Sequence, residues 1–333
     1  MEDVVDLNKI GVIDNALLNN ISSKMIPDIL TQPSIYHYTS INGLKGILEN
    51  KKLWFTHIDY MNDRDEVIVG AEQLREVGIK NCVEDYADII EAEAEQIKRQ
   101  EHKVFVCCFS LKRDELSMWN YYTKDVHNQG FNIGFDYKNL IIGILQNNPE
   151  LHGCSFSFGK VDYCIGEENY ASQTYNQSIK NVSKALELLS SIILEERISE
   201  QEDANDEKIE VPVAKYYGNE PVFRQVYSLD CLYLMKRPCF STEAEFRIVI
   251  KVSNDALTLL KKNNKYKYRV SNGLLIPYLD LSFAPSCITG LTLSPTINSD
   301  LAERSIKDYC LYCDVCTDDF SEGIAKSKIP VRF

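Results

Sequence analysis

Residues 36–66, YHYTSINGLKGILENKKLWFTHIDYMNDRDE, place a histidine, a helix start, a Trp-Phe pair and a burst of charge within one short span. Ser40 can cap a helix in which Ile41, Leu44, Ile47 and Leu48 recur on one face. The Asn50-Lys51-Lys52 turn and the apolar Leu53-Trp54-Phe55 after it predict a helix feeding a short strand. His37 and Tyr38 end the preceding strand, just before the Thr39-Ser40 helix start, where backbone amides can meet an anionic or hydroxylated ligand. By itself His37 also reads as a hydrogen-bonded structural histidine, and capping explains Asn62 or Asp63 without chemistry. A distant segment has to decide whether this opening is core or half of a site.

Working outward, a helical insertion is expected near residues 65–102, interrupted near Gly70 and Gly78, with its charge on a solvated face. KVFVCCFS (103–110) has the branched and aromatic content of a buried strand, with Ser110 at its polar exit. DELSMWNYYT (114–123) predicts a short helix that Asp114 can cap. In GFNIGFDY (130–137) Phe131, Ile133 and Phe135 share one strand face. Gly130 and Gly134 there admit either a close approach by chain or ligand, or a bulge. A second insertion near 172–210 combines the amphipathic NVSKALELLSSIILEE with the charged RISEQEDANDEK, a surface where a protein partner is expected. PVFRQVYSLDCLYLMKR (221–237) reads as an apolar helix; short strands and a helix capped by Ser299 or Asp300 complete the chain. The order is neither strictly alternating nor all strand. It implies an α+β fold of mixed small sheets with helical insertions, in a single domain over residues 1–333.

Composition narrows the classes. Apolar residues at 44% and charged residues at 26% describe a globular chain, and 36 Lys+Arg against 49 Asp+Glu give a net charge of -13. That charge disfavours phosphate-backbone binding over the whole surface. The 11 cysteines are scattered through apolar runs, as expected for buried free thiols in a reducing compartment. No hydrophobic leader core and no run of about eighteen apolar residues occurs, so a cytoplasmic protein without membrane contact is expected.

Common catalytic motifs are missing. There is no Walker loop, no GxGxxG opening a βαβ unit, no GxSxG elbow and no HExxH among the five histidines. CLYCDVC (310–316) has two-residue cysteine gaps, but read as a strand it turns Cys310 and Cys313 to opposite faces, so no metal is expected. Cys107 and Cys108 lie inside an apolar strand, where packing outweighs nucleophilic use.

The informative stretch is STEAEF (241–246). Period two puts Glu243, Glu245 and Arg247 on one face. Paired carboxylates repel when buried, so one pKa rises or Arg247 holds the charge in place; the plain alternative is an edge-strand ion pair. Trp119 and Tyr122, three apart on a helix, are either core or a clamp for a planar ring. A nuclease reading through His37, Asp63 and Glu66 would need a divalent metal, for which no motif is present.

Three blocks, residues 36–66, CCFSLKRDELSMWNYYTKDVHNQGFNIGFD (107–136) and RPCFSTEAEFRIV (237–249), together resemble the mainly bacterial family of domain of unknown function 2971 (DUF2971) from about Ile35 to Ile250. The family's asparagine-aspartate-proline turn is here Asn62-Asp63-Arg64. That family is in turn distantly similar to the ADP-ribosyltransferases, which bind NAD in a cleft between small sheets. The resemblance implies that His37 bonds the adenosine ribose, with Tyr38 beside it, and that Thr39 and Ser40 seat the nicotinamide side. It further implies that Glu245 is the catalytic glutamate, that Glu243 positions the acceptor, and that Ser110, Trp119 and Tyr122 line the middle of the cleft. Arg247 would contact the diphosphate or orient Glu245. The activity implied is transfer of ADP-ribose from NAD to a protein or nucleic-acid acceptor, in a toxin or antiphage effector. The alternative is a noncatalytic nucleotide-sensing or protein-interaction module.

Overall fold

The computed structural model describes residues 10–13, 30–62, 66–80, 95, 99, 102–123, 129–151, 154–163, 165, 229–297 and 299–330. The insertion expected near 172–210, the segment 221–228 and Asp63 lie outside the described residues, as does 81–94 of the first insertion. The strands are β1 (Ile10–Ile13), β2 (Ser34–Ser40), β3 (Lys52–His57), β4 (His102–Ser110), β5 (Gly130–Asp136), β6 (Ser155–Lys160), β7 (Asp162–Tyr163), β8 (Met235–Lys236), β9 (Glu245–Ser253), β10 (Tyr266–Ser271), β11 (Leu274–Ser282), β12 (Ile288–Leu293) and β13 (Gly323–Lys326). The helices are α1 (Ile41–Asn50), α2 (Glu66–Lys80), α3 (Leu116–Tyr122), α4 (Tyr137–Asn147), α5 (Asn254–Lys262) and α6 (Asp300–Tyr312).

The arrangement is α+β, but the strands do not divide into small sheets. Eleven of them join one mixed sheet along the path β1-β6-β9-β4-β2-β5-β12-β13, with β3, β11 and β10 branching from β4; β7 and β8 pair separately. The branch arises because β4 is nine residues long and pairs with β9 along its whole length, while its other edge is shared. β3 takes that edge at Phe105 and Val106, and β2 takes it at Ser110 alone. Between these contacts the two neighbours part, and the sheet forks.

Alternation assigns the faces. Phe246, Ile248, Ile250 and Val252 of β9, Phe105, Cys107 and Phe109 of β4, and Phe131, Ile133 and Phe135 of β5 all enter the main core. There they meet Leu44, Ile47 and Leu48 of α1 and Leu140, Ile141, Ile144 and Leu145 of α4. Each buried side chain of this size contributes about 1.5–3 kcal/mol by removal from water. The opposite face of β4 and β9 is left for Cys108, Glu245 and Arg247, and α2, α3 and β8 cover it.

Several local expectations hold and others change. Ser40 caps α1 by accepting from Gly43 N at 3.2 Å, and Ser299 caps α6. Asp114 does not cap α3; its Oδ1 instead accepts from Trp119 Nε1 at 2.8 Å and from Ser327 Oγ at 2.7 Å. α2 runs through Gly70 and Gly78 without a break, because burial of Val67 and Ala71 offsets the roughly 1 kcal/mol a helical glycine costs. Residues 229–236 form a 3-10 segment and then β8, not a helix. CLYCDVC is not a strand: α6 extends to Tyr312, Cys313 is its C-cap, and Cys310 and Cys313 both pack into the core. At Gly130 a Cβ would lie 2.3 Å from Thr123 Cβ and 2.7 Å from the Thr39 carbonyl oxygen, so chain approach explains it. Opposite Gly134 the irregularity lies on β12, between Ile288 and Gly290.

Candidate functional site

A cavity of about 290 Å3 opens at the fork, with walls from β2, β3, β4, β8, β9, β10, α2 and α3. It brings together His37, Tyr38, Tyr122, Glu243, Glu245 and Arg247, drawn from both ends of the chain. Glu66 and two residues without a role in the sequence reading, Lys236 and Arg269, also line it.

His37 shows how the fork makes the site. Antiparallel pairing after Tyr36 and Ser110 would set β2 against Cys108, but the strands have separated there. The His37 ring bridges the gap, Nδ1 lying 3.1 Å from the Cys108 carbonyl oxygen. A carbonyl only accepts, so Nδ1 carries the proton, and the neutral ring keeps Nε2 as an acceptor. Burial lowers the His37 pKa more than this hydrogen bond raises it, which favours the neutral ring. Phe109 packs edge-on against it at 5.6 Å between centroids.

The two glutamates reach one place by a route other than strand alternation. Glu243 ends a 3-10 turn, Ala244 is left-handed at φ 43°, and β9 starts at Glu245. The Ser110 hydroxyl secures this turn by donating to the Glu243 carbonyl at 2.7 Å, and Leu111 N donates to the Ala244 carbonyl at 2.8 Å. Lys236 Nζ then bridges Glu243 Oε2 at 2.6 Å and Glu245 Oε2 at 3.0 Å. Arg247 donates to Glu245 through Nε at 3.0 Å and Nη2 at 3.2 Å, to Glu66 at 2.7 and 3.2 Å, and to the Tyr233 carbonyl at 2.7 Å. Tyr122 OH donates to Glu243 Oε1 at 3.0 Å. The cluster thus sets three carboxylates against two cations, every member at most 5% exposed.

Electrostatics sort these carboxylates. Burial pushes the Glu245 carboxyl up, but Arg247 and Lys236 outweigh it and hold its pKa at about 2. At Glu66 burial wins over Arg247, and the carboxyl is raised. Burial pulls the Lys236 ammonium down, yet Glu245 and Glu243 leave it above the usual lysine range. Burial and then Glu243 push the Tyr122 phenol far up, so it remains a donor. Burial and Glu245 raise the Cys108 thiol well above its ordinary value, which leaves it a weak donor to Glu245 and no nucleophile.

The unfolded chain binds a proton at Glu245 more readily than the folded chain does. Its stabilisation is therefore complete above the ordinary 4.5 and is lost as pH falls toward about 2, on the order of 3 kcal/mol in all. Glu66 has the opposite sign, its contribution being lost as pH rises through its raised pKa. Urea midpoints measured from pH 5 to pH 2.5 should decline less steeply in Glu245→Gln than in the wild type; parallel declines would refute the assignment.

Not every expected residue meets the cavity. Thr39 and Ser40 do not line it, and Ser40 is spent on the α1 cap. Ser110 and Trp119 are buried behind the wall: Ser110 holds the glutamate turn, and Trp119 packs edge-on to Tyr38 at 4.7 Å. The proposed aromatic clamp is thus not formed, because Trp119 is drawn into the cluster of Tyr36, Tyr38 and Met118 while only Tyr122 reaches in. Glu66 is bound to Arg247, which removes it from the nuclease reading. Among the described residues no group of three or more His, Cys, Asp or Glu gathers to hold a metal, and no helix is long and apolar enough to cross a membrane.

The family model described as "Protein of unknown function (DUF2971)" matches residues 118–248. The matched stretch carries Tyr122, Lys236, Glu243, Glu245 and Arg247, and stops short of the block around His37. No curated protein and no solved structure matches the chain.

Proposed function

We propose that this protein is an NAD-consuming enzyme of the ADP-ribosyltransferase kind. The observation that carries the proposal is the meeting of His37 with Glu243 and Glu245 at one cavity. Cleaving the bond between nicotinamide and ribose sends the bonding pair out with nicotinamide and leaves positive charge on the sugar. A fixed carboxylate beside a ribose hydroxyl lowers that transition state electrostatically. Glu245 suits this role because Arg247 grips it through two nitrogens, so its orientation is set before ligand arrives. A ribose hydroxyl would displace the weakest of its donors, the Cys108 thiol. Glu243, whose carboxylate has Tyr122 and Lys236 as its partners among the described residues, keeps acceptor capacity for the incoming nucleophile, which loses its proton as it attacks. The acceptor class we propose is protein or nucleic acid, and the use a toxin or antiphage effector.

At about 290 Å3 the cavity is at the small end for a ligand site and would take part of a dinucleotide, the remainder extending over the exposed rings of Trp54 and Tyr60 in its lining. The test is nicotinamide release from NAD together with calorimetric NAD titration. His37→Ala should weaken NAD binding by about tenfold through loss of a buried hydrogen bond. Absence of both binding and release, with and without candidate acceptors, sinks the proposal. The saturation of Glu245 by Lys236 and Arg247 favours a second reading, a noncatalytic nucleotide sensor. It predicts NAD binding with no turnover over long incubation.

A further inference from the structure

Among the described residues three cations line the cavity, and two of them are already committed: Lys236 to Glu243 and Glu245, Arg247 to Glu66 and Glu245. Arg269, on β10 at the other end, differs. Its Nε is buried without a hydrogen-bond partner, and its Nη2 makes one long bond, 3.3 Å to Thr56 Oγ1. No described carboxylate pairs with it. Its guanidinium instead lies over the Trp54 ring at 5.8 Å from the centroid, and Trp54 in turn packs on Tyr278 at 4.6 Å. The side chain is half-buried, and that burial lowers its pKa with no described carboxylate beside it to offset the effect. An arrangement of this kind is costly unless an anion completes it.

We infer that Arg269, oriented by Trp54 and Thr56, is the anion contact of the cavity and takes the phosphates of a nucleotide, a role the family resemblance had implied for Arg247. Arg247 has no donor to spare: its nitrogens serve two carboxylates and the Tyr233 carbonyl. A planar guanidinium can present a pair of parallel donors to a phosphate oxygen pair, which a lysine at this place would not. The geometry also orders the ligand. Phosphate lies at the β3 and β10 wall, and the sugar to be cleaved lies toward β9, where the carboxylates would repel phosphate. The inference rests on the cavity receiving a nucleotide, as proposed above.

The experiment titrates wild type and Arg269→Gln with ADP, adenosine and inorganic pyrophosphate, read by quenching of Trp54, which is 51% exposed while Trp119 is 1% exposed. Wild type should bind ADP at least about tenfold more tightly than adenosine, the range for a charge-assisted hydrogen bond. Pyrophosphate should compete, and Arg269→Gln should bring ADP to the adenosine level without moving adenosine. Arg269→Lys should recover only part of the difference. The thermal midpoint of Arg269→Gln should equal or exceed that of wild type, since a half-buried cation without a described carboxylate partner is removed. Equal affinities for ADP and adenosine in wild type, an unchanged ratio in Arg269→Gln, or a loss of stability with affinities intact would each overturn the inference. Nicotinamide release unaffected by Arg269→Gln would overturn it while leaving the NAD proposal standing. ADP discrimination that depends on Arg269, without nicotinamide release, would uphold it and remove the enzymatic proposal.

Discussion

Glu245→Gln should cut nicotinamide release from NAD by about 10²–10³-fold, the size of effect seen when one preorganised electrostatic contact to a transition state is removed. The substitution keeps shape and hydrogen-bonding reach and removes only the charge. It also removes the stabilisation that the ionised carboxylate supplies at neutral pH, on the order of 3 kcal/mol, so the variant is assayed at a temperature where circular dichroism shows it folded. Loss of activity in a protein that is still folded at the assay temperature, with a lowered thermal midpoint, is the expected pair of results. Glu243→Gln separates the roles: with Glu243 receiving the acceptor's proton, transfer to an acceptor should fall while hydrolysis of NAD by water persists. The two reactions are followed in one assay by measuring free ADP-ribose against acceptor-bound ADP-ribose. If Glu245→Gln releases nicotinamide at the wild-type rate, the carboxylate is an ion-pair partner and nothing more.

How far the chain announced this site varies by element. The cap at Ser40 and the faces of β5 and β9 follow from local pattern, since alternation and capping act over a few residues, whereas the association of His37 with the late glutamates was implied only by the family resemblance. The fork in the sheet does not. It depends on β3 and β2 sharing one edge of β4, a long-range pairing that no local period encodes. Lys236 was hidden for a related reason: a single lysine after the apolar run LDCLYLM looks like a strand-end charge, and only β8 lying beside the glutamate turn makes it a bridge. Glu243 and Glu245 were assigned to one face by period two, and they do converge, but through a left-handed Ala244 and a shared lysine. The metal-like cysteine spacing misled about local structure because the third cysteine lies beyond the helix end. Within a helix, positions three apart share a face, so Cys310 and the capping Cys313 pack together in the core.

Arg247→Met should destabilise the fold by about 3–5 kcal/mol, the usual consequence of removing one partner from a buried ion pair. Arg247 is 1% exposed and holds Glu66, 1% exposed, and Glu245, 5% exposed. Without it Lys236 alone faces three buried carboxylates, and Glu66, whose carboxyl burial already raises, has lost its cation. Against a typical domain stability of about 5–15 kcal/mol such a loss is large enough to read from a single urea curve. The double variant Arg247→Met/Glu66→Gln should regain part of it, because the stranded charge is gone, and the cycle of single and double variants yields the coupling between the two side chains. The same experiment distinguishes the two roles offered for Arg247. An arginine serving a ligand's phosphates would leave stability nearly unchanged on substitution and lower nucleotide affinity; an arginine clamping Glu245 and Glu66 would lower stability, with rescue by Glu66→Gln. The five donor contacts described for Arg247 all go to protein acceptors, so the second outcome is the expected one.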